Sequence, residues 1–201
     1  PPKFGPYKAA RSYDIFEPAV ARGAKLNFNL VAQLRERVRN LAVGGSITRT
    51  YDNVTNTWTT HCKADVRLAG GTFGHYPVEK QKEFIRDVYY FARTVDYCDA
   101  DMPLPMSLEK EIEHHIENAN AFRIVALSIE TRPDKIDKGI LDMYNSWYLT
   151  FVEMGVQTTN DAILNYVKRG HKTKHSEKAL ELCKQYGFKV LGHFMQDLPQ
   201  S

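Results

Sequence analysis

Cysteine is scarce in this 201-residue chain: Cys62, Cys98 and Cys183 are the only three. An odd number at wide spacing rules against a disulfide scaffold and favours a reducing compartment. The spacing also lacks any recognisable metal motif. No apolar run approaches the roughly 20 residues of a membrane span. The opening Pro1, Pro2 and Lys3 have no apolar core like that of a secretory signal. Charge of one sign is lacking too: 27 Lys and Arg stand against 24 Asp and Glu, a net +3, so composition alone demands no nucleic acid. There is no internal repeat and no low-complexity tract. What remains, 43% hydrophobic and 25% charged residues, is the composition of a globular protein with one sizeable core.

The charges are unevenly distributed. Residues 1–39 hold eight Lys or Arg against three acids, and residues 168–189 hold seven against two. Residues 96–117 run the other way, with seven acids and one Lys. Solvated faces account for such runs. The sharper expectation is two basic surfaces for phosphates flanking an acidic one.

The first 25 residues read as an irregular arm. Leu30, Leu34, Val38 and Leu41 then make one helical stripe, stopped by Gly44 and Gly45. Residues 46–61 are a hairpin around Asp52-Asn53 or a plain loop. Strands are expected at about 64–69, 123–130, 149–156 and 188–195. Helices are expected from Pro77 to about Val95, over Leu108–Asn118, from Pro133 through Tyr144, from Asn160 to about Val167 and over His175–Tyr186. Alternation of strand and helix implies an α/β fold with a parallel sheet, either open or a sector of a barrel.

Polar residues gather at the strand ends, where active sites of such folds lie. Alternation puts Leu149, Phe151, Glu153, Gly155 and Gln157 on one face of a strand. Ser128 and Glu130 share a face of another, and His193 and Met195 share one of the last. A buried acid needs a partner; a structural ion pair of Glu130 with Arg132 is the plain alternative to a ligand. Gly70-Gly71-Thr72 lets backbone approach a ligand, or is simply a turn. His193 could equally be a hydrogen-bonded core histidine. Lys168-Arg169-Gly170-His171-Lys172 reads as a phosphate site or as a helix end capped by Gly170.

In order along the chain, GGTF at 70–73, IETRPD at 129–134, VEMGVQT at 152–158, KRGHKT at 168–173 and GFKVLGHFMQDLP at 187–199 resemble the Elongator catalytic subunit family. The resemblance covers nearly the whole chain, with 46–61 as an insertion. It implies a partial (β/α) barrel of the radical S-adenosylmethionine type over 62–201, preceded by an arm, helix and insertion over 1–61. It implies part of an enzyme that modifies the wobble uridine of transfer RNA, using S-adenosylmethionine, a 4Fe–4S cluster and acetyl-CoA. On that basis Gly70, Gly71, Thr72, Glu130 and Arg132 would meet the cofactor. Glu153, Gln157 and His193 would serve catalysis. Lys168, Arg169, His171 and Lys172 would lie along the RNA path. The implied partners are a transfer RNA anticodon stem-loop and other Elongator subunits, with no membrane, in the cytoplasm or nucleus.

Two departures matter. The family's three closely spaced cluster cysteines are absent from these 201 residues and are expected before residue 1. The family's acetyltransferase domain is expected after Ser201. The chain alone is therefore expected to bind no cluster and to be inactive. Two alternatives stand beside this reading. One is a noncatalytic RNA-binding or scaffold remnant of the barrel. The other is a radical enzyme of the coproporphyrinogen oxidase type, which shares a similar G-V-Q-S strand but not the RPD and RGH elements.

Overall fold

The computed structural model describes residues 29–69, 72–118 and 121–199. The N-terminal arm and the pair Gly70-Gly71 lie outside them. In chain order the elements are α1 (Leu30–Val43), β1 (Thr48–Asp52), β2 (Thr57–Leu68), α2 (Val78–Thr94), α3 (Leu108–Glu117), β3 (Phe122–Thr131), α4 (Lys138–Ser146), β4 (Phe151–Gln157), α5 (Asp161–Tyr166), α6 (Thr173–Gln185) and β5 (Lys189–Phe194). The strands follow one another in the sheet in the order β1-β2-β3-β4-β5. β3 and β4 are parallel, β4 and β5 are parallel, and β1 and β2 are antiparallel. The mixed α/β class and the adjacency of the four expected strands hold. The hairpin reading of 46–61 holds over the loop, and it lengthens β2 backwards to Thr57, so Cys62 lies within the strand rather than before it.

Two compact units divide the chain. One contains residues 29–66 and 78–126 among those described. Its core joins Val31, Tyr90, Phe91, Ala92 and Phe122, with Leu34 and Val38 of the α1 stripe packed against it. Phe91 and Phe122 meet edge to face at 5.3 Å. The Asn29 side chain accepts from the Ala32 amide at 3.0 Å and so begins α1; such a cap contributes about 1 kcal/mol. α1 ends at Gly44, followed by Gly45 with φ +73°, where a glycine is at ease.

The other unit contains residues 67–77 and 127–199 among those described. α6 packs on β4 and β5 and covers their apolar side, where Val152 and Met154 are fully buried. The segment after Pro133 differs from the single helix expected. A 3-10 turn (Pro133–Lys135) ends at Ile136, and the Asp137 carboxylate accepts from the Ile140 amide at 2.9 Å to begin α4 afresh. Asp137 is the stronger start signal because a proline supplies no cap acceptor.

Candidate active site

β3, β4 and β5 bring the strand-end polar groups of the second unit together. Ser128 is registered with Phe151, Glu130 with Glu153, and Glu153 with Leu191. In-register neighbours of parallel strands point to the same face. Glu153 is the hub. Its Oε1 accepts from Ser128 Oγ at 3.0 Å, and its Oε2 lies 3.2 Å from His193 Nε2. Arg67 Nη1, from the end of β2, lies 3.7 Å from Oε1. Glu153 is buried, so its carboxylate would be costly without these groups. His193 is half-buried and engaged with a carboxylate, not enclosed in the core.

The strict alternation expected along β4 fails at its end. Met154 is registered with Gly192 and Gln157 with Phe194, so β4 spends three steps where β5 spends two. That bulge, with Gln157 at φ +71°, re-aims the amide. Gln157 is buried and its Oε1 has no partner. Its Nε2 lies over Gly155, where an added Cβ would come within 2.9 Å of it. The same Cβ would stand 3.6 Å from Arg169 Nη2 and 3.8 Å from the Thr131 carbonyl. Gly155 is thus the floor on which an amide and a guanidinium rest. Thr131 Oγ1, at the end of β3, is a second buried polar atom without a partner. Buried unpartnered groups mark places where a ligand or water supplies the missing bond.

The residues of the KRGHKT segment separate. The helix-ending left-handed residue after α5 is Lys168 (φ +54°), with the Arg169 amide donating back to the Leu164 carbonyl at 3.0 Å. Gly170 is therefore not the cap. Its φ is +77°, and a Cβ there would lie 2.6 Å from Arg132 Nη2. Gly170 makes room for that guanidinium. Arg132 is held by Asp134 through two contacts of 2.9 Å, so its ion-pair partner is not the Glu130 of the plain sequence reading. Arg169 turns inward. Burial, then the neighbouring Arg132 charge, hold its pKa below the ordinary arginine value, and Glu130 opposes them. His171 is buried, with Nε2 3.2 Å from the Val156 carbonyl, so it ties the segment to the β4 bulge from inside. Lys168 and Lys172 remain exposed. The Lys172 amide donates to His175 Nδ1 at 2.8 Å, and Thr173 donates to Asp161 Oδ1 from both its amide and hydroxyl at 2.8 Å.

Thr72 begins the 3-10 turn Phe73–His75, its carbonyl accepting from the His75 amide at 2.9 Å. Gly74 on that turn comes close to Thr131 Oγ1 and the Tyr144 hydroxyl, each 3.6–3.7 Å from where its Cβ would be. Burial pushes the Tyr144 phenol well above its ordinary pKa, so it is neutral. Sequence reasoning missed Arg67 and Thr131. Period-two alternation along Asp65, Arg67 and Ala69 would have set Arg67 apart from the buried Val66 and Leu68.

The cysteines do not form a ligand set. Cys62 is half-buried in β2, Cys98 is exposed, and Cys183 is buried in α6, where desolvation pushes its thiol to about 11. Among the described residues no three His, Cys, Asp or Glu side chains converge on a metal position. None of the described helices is long and apolar enough to cross a membrane.

Comparison with known proteins gives consistent matches. The family model described as the Radical SAM superfamily matches residues 60–197. A tRNA uridine(34) acetyltransferase of Methanocaldococcus jannaschii is 32% identical over 95% of this chain and 31% of its own length. Elongator complex protein 3 of Dictyostelium discoideum is 29% identical over 95% of this chain and 30% of its own length. The solved structure of an archaeal Methanocaldococcus infernus Elp3 with an N-terminal deletion superposes with a TM-score of 0.71 at 30% identity, covering 89% of this chain and 37% of that one. The chain therefore spans about a third of the length of the curated relatives it matches.

Proposed function

Since this chain belongs to the radical S-adenosylmethionine superfamily, we propose that it is part of an Elongator-type enzyme that modifies the wobble uridine of transfer RNA with an acetyl-CoA-derived group. The observation that carries this reading is the cluster at the strand ends: Glu153 joined to His193 and Ser128, beside Gln157, Arg132 and Arg169. The relatives named for uridine 34 acetyl transfer match across 95% of the chain.

The strand-end residues suit S-adenosylmethionine. Gln157 Oε1 and Thr131 Oγ1 are buried acceptors without partners, and the methionyl ammonium is a donor. Arg132 and Arg169 offer guanidinium groups to its carboxylate. When bound, S-adenosylmethionine supplies a deoxyadenosyl radical on one-electron reduction. The chain's own residues orient it. Glu153 holds the His193 ring, and Arg67 balances the charge. The described residues offer no ligand set for the cluster.

Lys168 and Lys172 are exposed at the rim and Arg169 turns toward the strand ends. In this reading Lys168 and Lys172 hold phosphates of the anticodon stem-loop, Arg169 faces the entering base, and His171 positions the segment from within. Filter binding of a transfer RNA anticodon stem-loop across a salt series tests it. The Lys168→Ala, Arg169→Ala double variant should bind several transfer RNAs more weakly, with a log–log salt slope reduced by about 0.7 to 0.9 per lost contact. Unchanged affinity and slope would leave the scaffold reading as the better one.

A further inference from the structure

The first unit has a cavity of its own, of about 190 Å³, between α1, the β1-β2 hairpin and the segment after α2. Arg39, Arg49, Trp58, Tyr97 and Cys98 line it, with Arg35 at its base. It uses none of the strand-end residues above, and two of its nine lining residues, Arg49 and Trp58, come from the segment 46–61.

Each wall residue has a distinct status. Arg35 is buried and spent: its Nη1 donates to the Thr94 carbonyl at 2.7 Å, its Nη2 to the Tyr97 carbonyl, and Asp99 lies 3.2 Å away. Asp96 is spent as well, accepting from the Thr60 amide at 3.0 Å and the Thr60 hydroxyl at 2.6 Å. Arg49 bridges Thr60 Oγ1 at 3.1 Å and Asp96 at 3.6 Å, which fixes its guanidinium 4.8 Å from the centre of the Trp58 ring. Tyr51 packs on Trp58 at 5.0 Å. The indole is thus clamped in place yet 47% exposed, and Tyr97 is exposed to the same degree. Arg39 is the cation with reach. Its side chain is 60% exposed, and its contact to Asp99 is 3.8 Å long on a carboxylate that is itself 78% exposed. Solvent screens such a pair, leaving the guanidinium available to a stronger anion.

We propose that this cavity takes one unpaired nucleotide of an RNA strand, the base against Trp58 and Tyr97 and the phosphate on Arg39. A cavity of roughly 150 Å³ holds a benzene ring, so 190 Å³ suits one planar ring and excludes a folded peptide. A rigid aromatic platform beside a mobile guanidinium is the arrangement by which single strands are bound without sequence preference. The choice of RNA over other strands rests on the proposed function. The effect is a second hold on the substrate, by residues separate from those of the strand-end site.

The test uses the intact protein and a ten-nucleotide oligouridylate that has no anticodon loop, so its failure is separate from failure of the transfer RNA reading. Trp147, the other tryptophan, is buried, so quenching of tryptophan emission reports Trp58. The oligonucleotide should quench that emission, and fluorescence anisotropy should show Trp58→Ala weakening its binding roughly five- to hundredfold. Trp58→Phe should retain affinity within a few-fold, which separates stacking from damage to the hairpin. Arg39→Gln should lower the log–log salt slope by about 0.7. The proposal is overturned if wild type does not bind the oligonucleotide, if Trp58→Ala binds it as wild type does, or if uridine monophosphate alone quenches and the strand does not. Loss of anticodon stem-loop binding with retained oligonucleotide binding would instead remove the wobble-uridine reading and leave this site standing.

Discussion

At the scale of single residues, the protonation of His115 gives the protein a pH dependence. The ring is buried against Tyr89 at 5.2 Å, with Nε2 3.3 Å from the Ile124 amide. Burial is the largest influence and lowers its pKa below 6.5; the contact of Nε2 with the Ile124 carbonyl at 3.4 Å opposes it, and the Arg123 and His114 charges act with burial. A lowered histidine pKa means that the unfolded chain binds more protons between the folded value and about 6.5. Stability therefore rises with pH through that window and is lost as pH falls below about 6.5. Thermal midpoints of wild type and His115→Gln from pH 5 to 7.5 check this: the variant should lose part of the slope, and parallel curves would refute it. The polar rows of Glu130, Glu153 and His193 were legible in the sequence because side chains alternate along a strand. The aim of Gln157 was not, because the bulge that sets it is a property of the pairing of β4 with β5. The role of Gly170 was hidden for the same kind of reason: what it admits is an arginine from a distant segment.

Among the elements, α2 and α3 are fastened by a buried ion pair. Arg93 Nε donates to Glu111 Oε2 at 2.8 Å and Nη2 to Oε1 at 2.7 Å, while the Met106 amide also donates to Oε1 at 2.9 Å. The hydrogen bond to Glu111 is the largest influence on Arg93 and raises its pKa. Removing one partner leaves a buried charge alone, so Glu111→Ala should cost about 3–5 kcal/mol in urea unfolding. Replacing both partners, Arg93→Met with Glu111→Leu, should recover much of that loss. A cost below about 1 kcal/mol for the single variant would show that the pair is slack. The acidic run 96–117 that reads as a solvated flank thus contains a carboxylate at the centre of a helix contact. Spacing marks Glu111 on the apolar side of α3 with Leu108, Ile112 and His115, but its partner lies on another helix. The hairpin was open in the sequence because its Asp52–Asn56 turn has no glycine. Asn56 supplies the left-handed residue instead, at φ +58°, and the Val54 amide donates to Asp52 Oδ1 at 2.8 Å.

For the whole molecule, element order alone gave the α/β class. Distinguishing a barrel sector from an open sheet required the family resemblance, because periodicity is the same in both. The two units carry separate surfaces with separate tests, and the strand-end site carries the central claim that a wobble uridine enters there. Photocrosslinking with a transfer RNA carrying 4-thiouridine at position 34 measures that most directly, since it needs binding and not turnover. Peptide mapping by mass spectrometry should place the crosslink at the ends of β3, β4 or β5, around Glu130–Thr131, Gln157–Thr158 or His193–Met195. A crosslink confined to residues 29–66 or 78–126, or none under conditions where the transfer RNA is bound, would contradict the account.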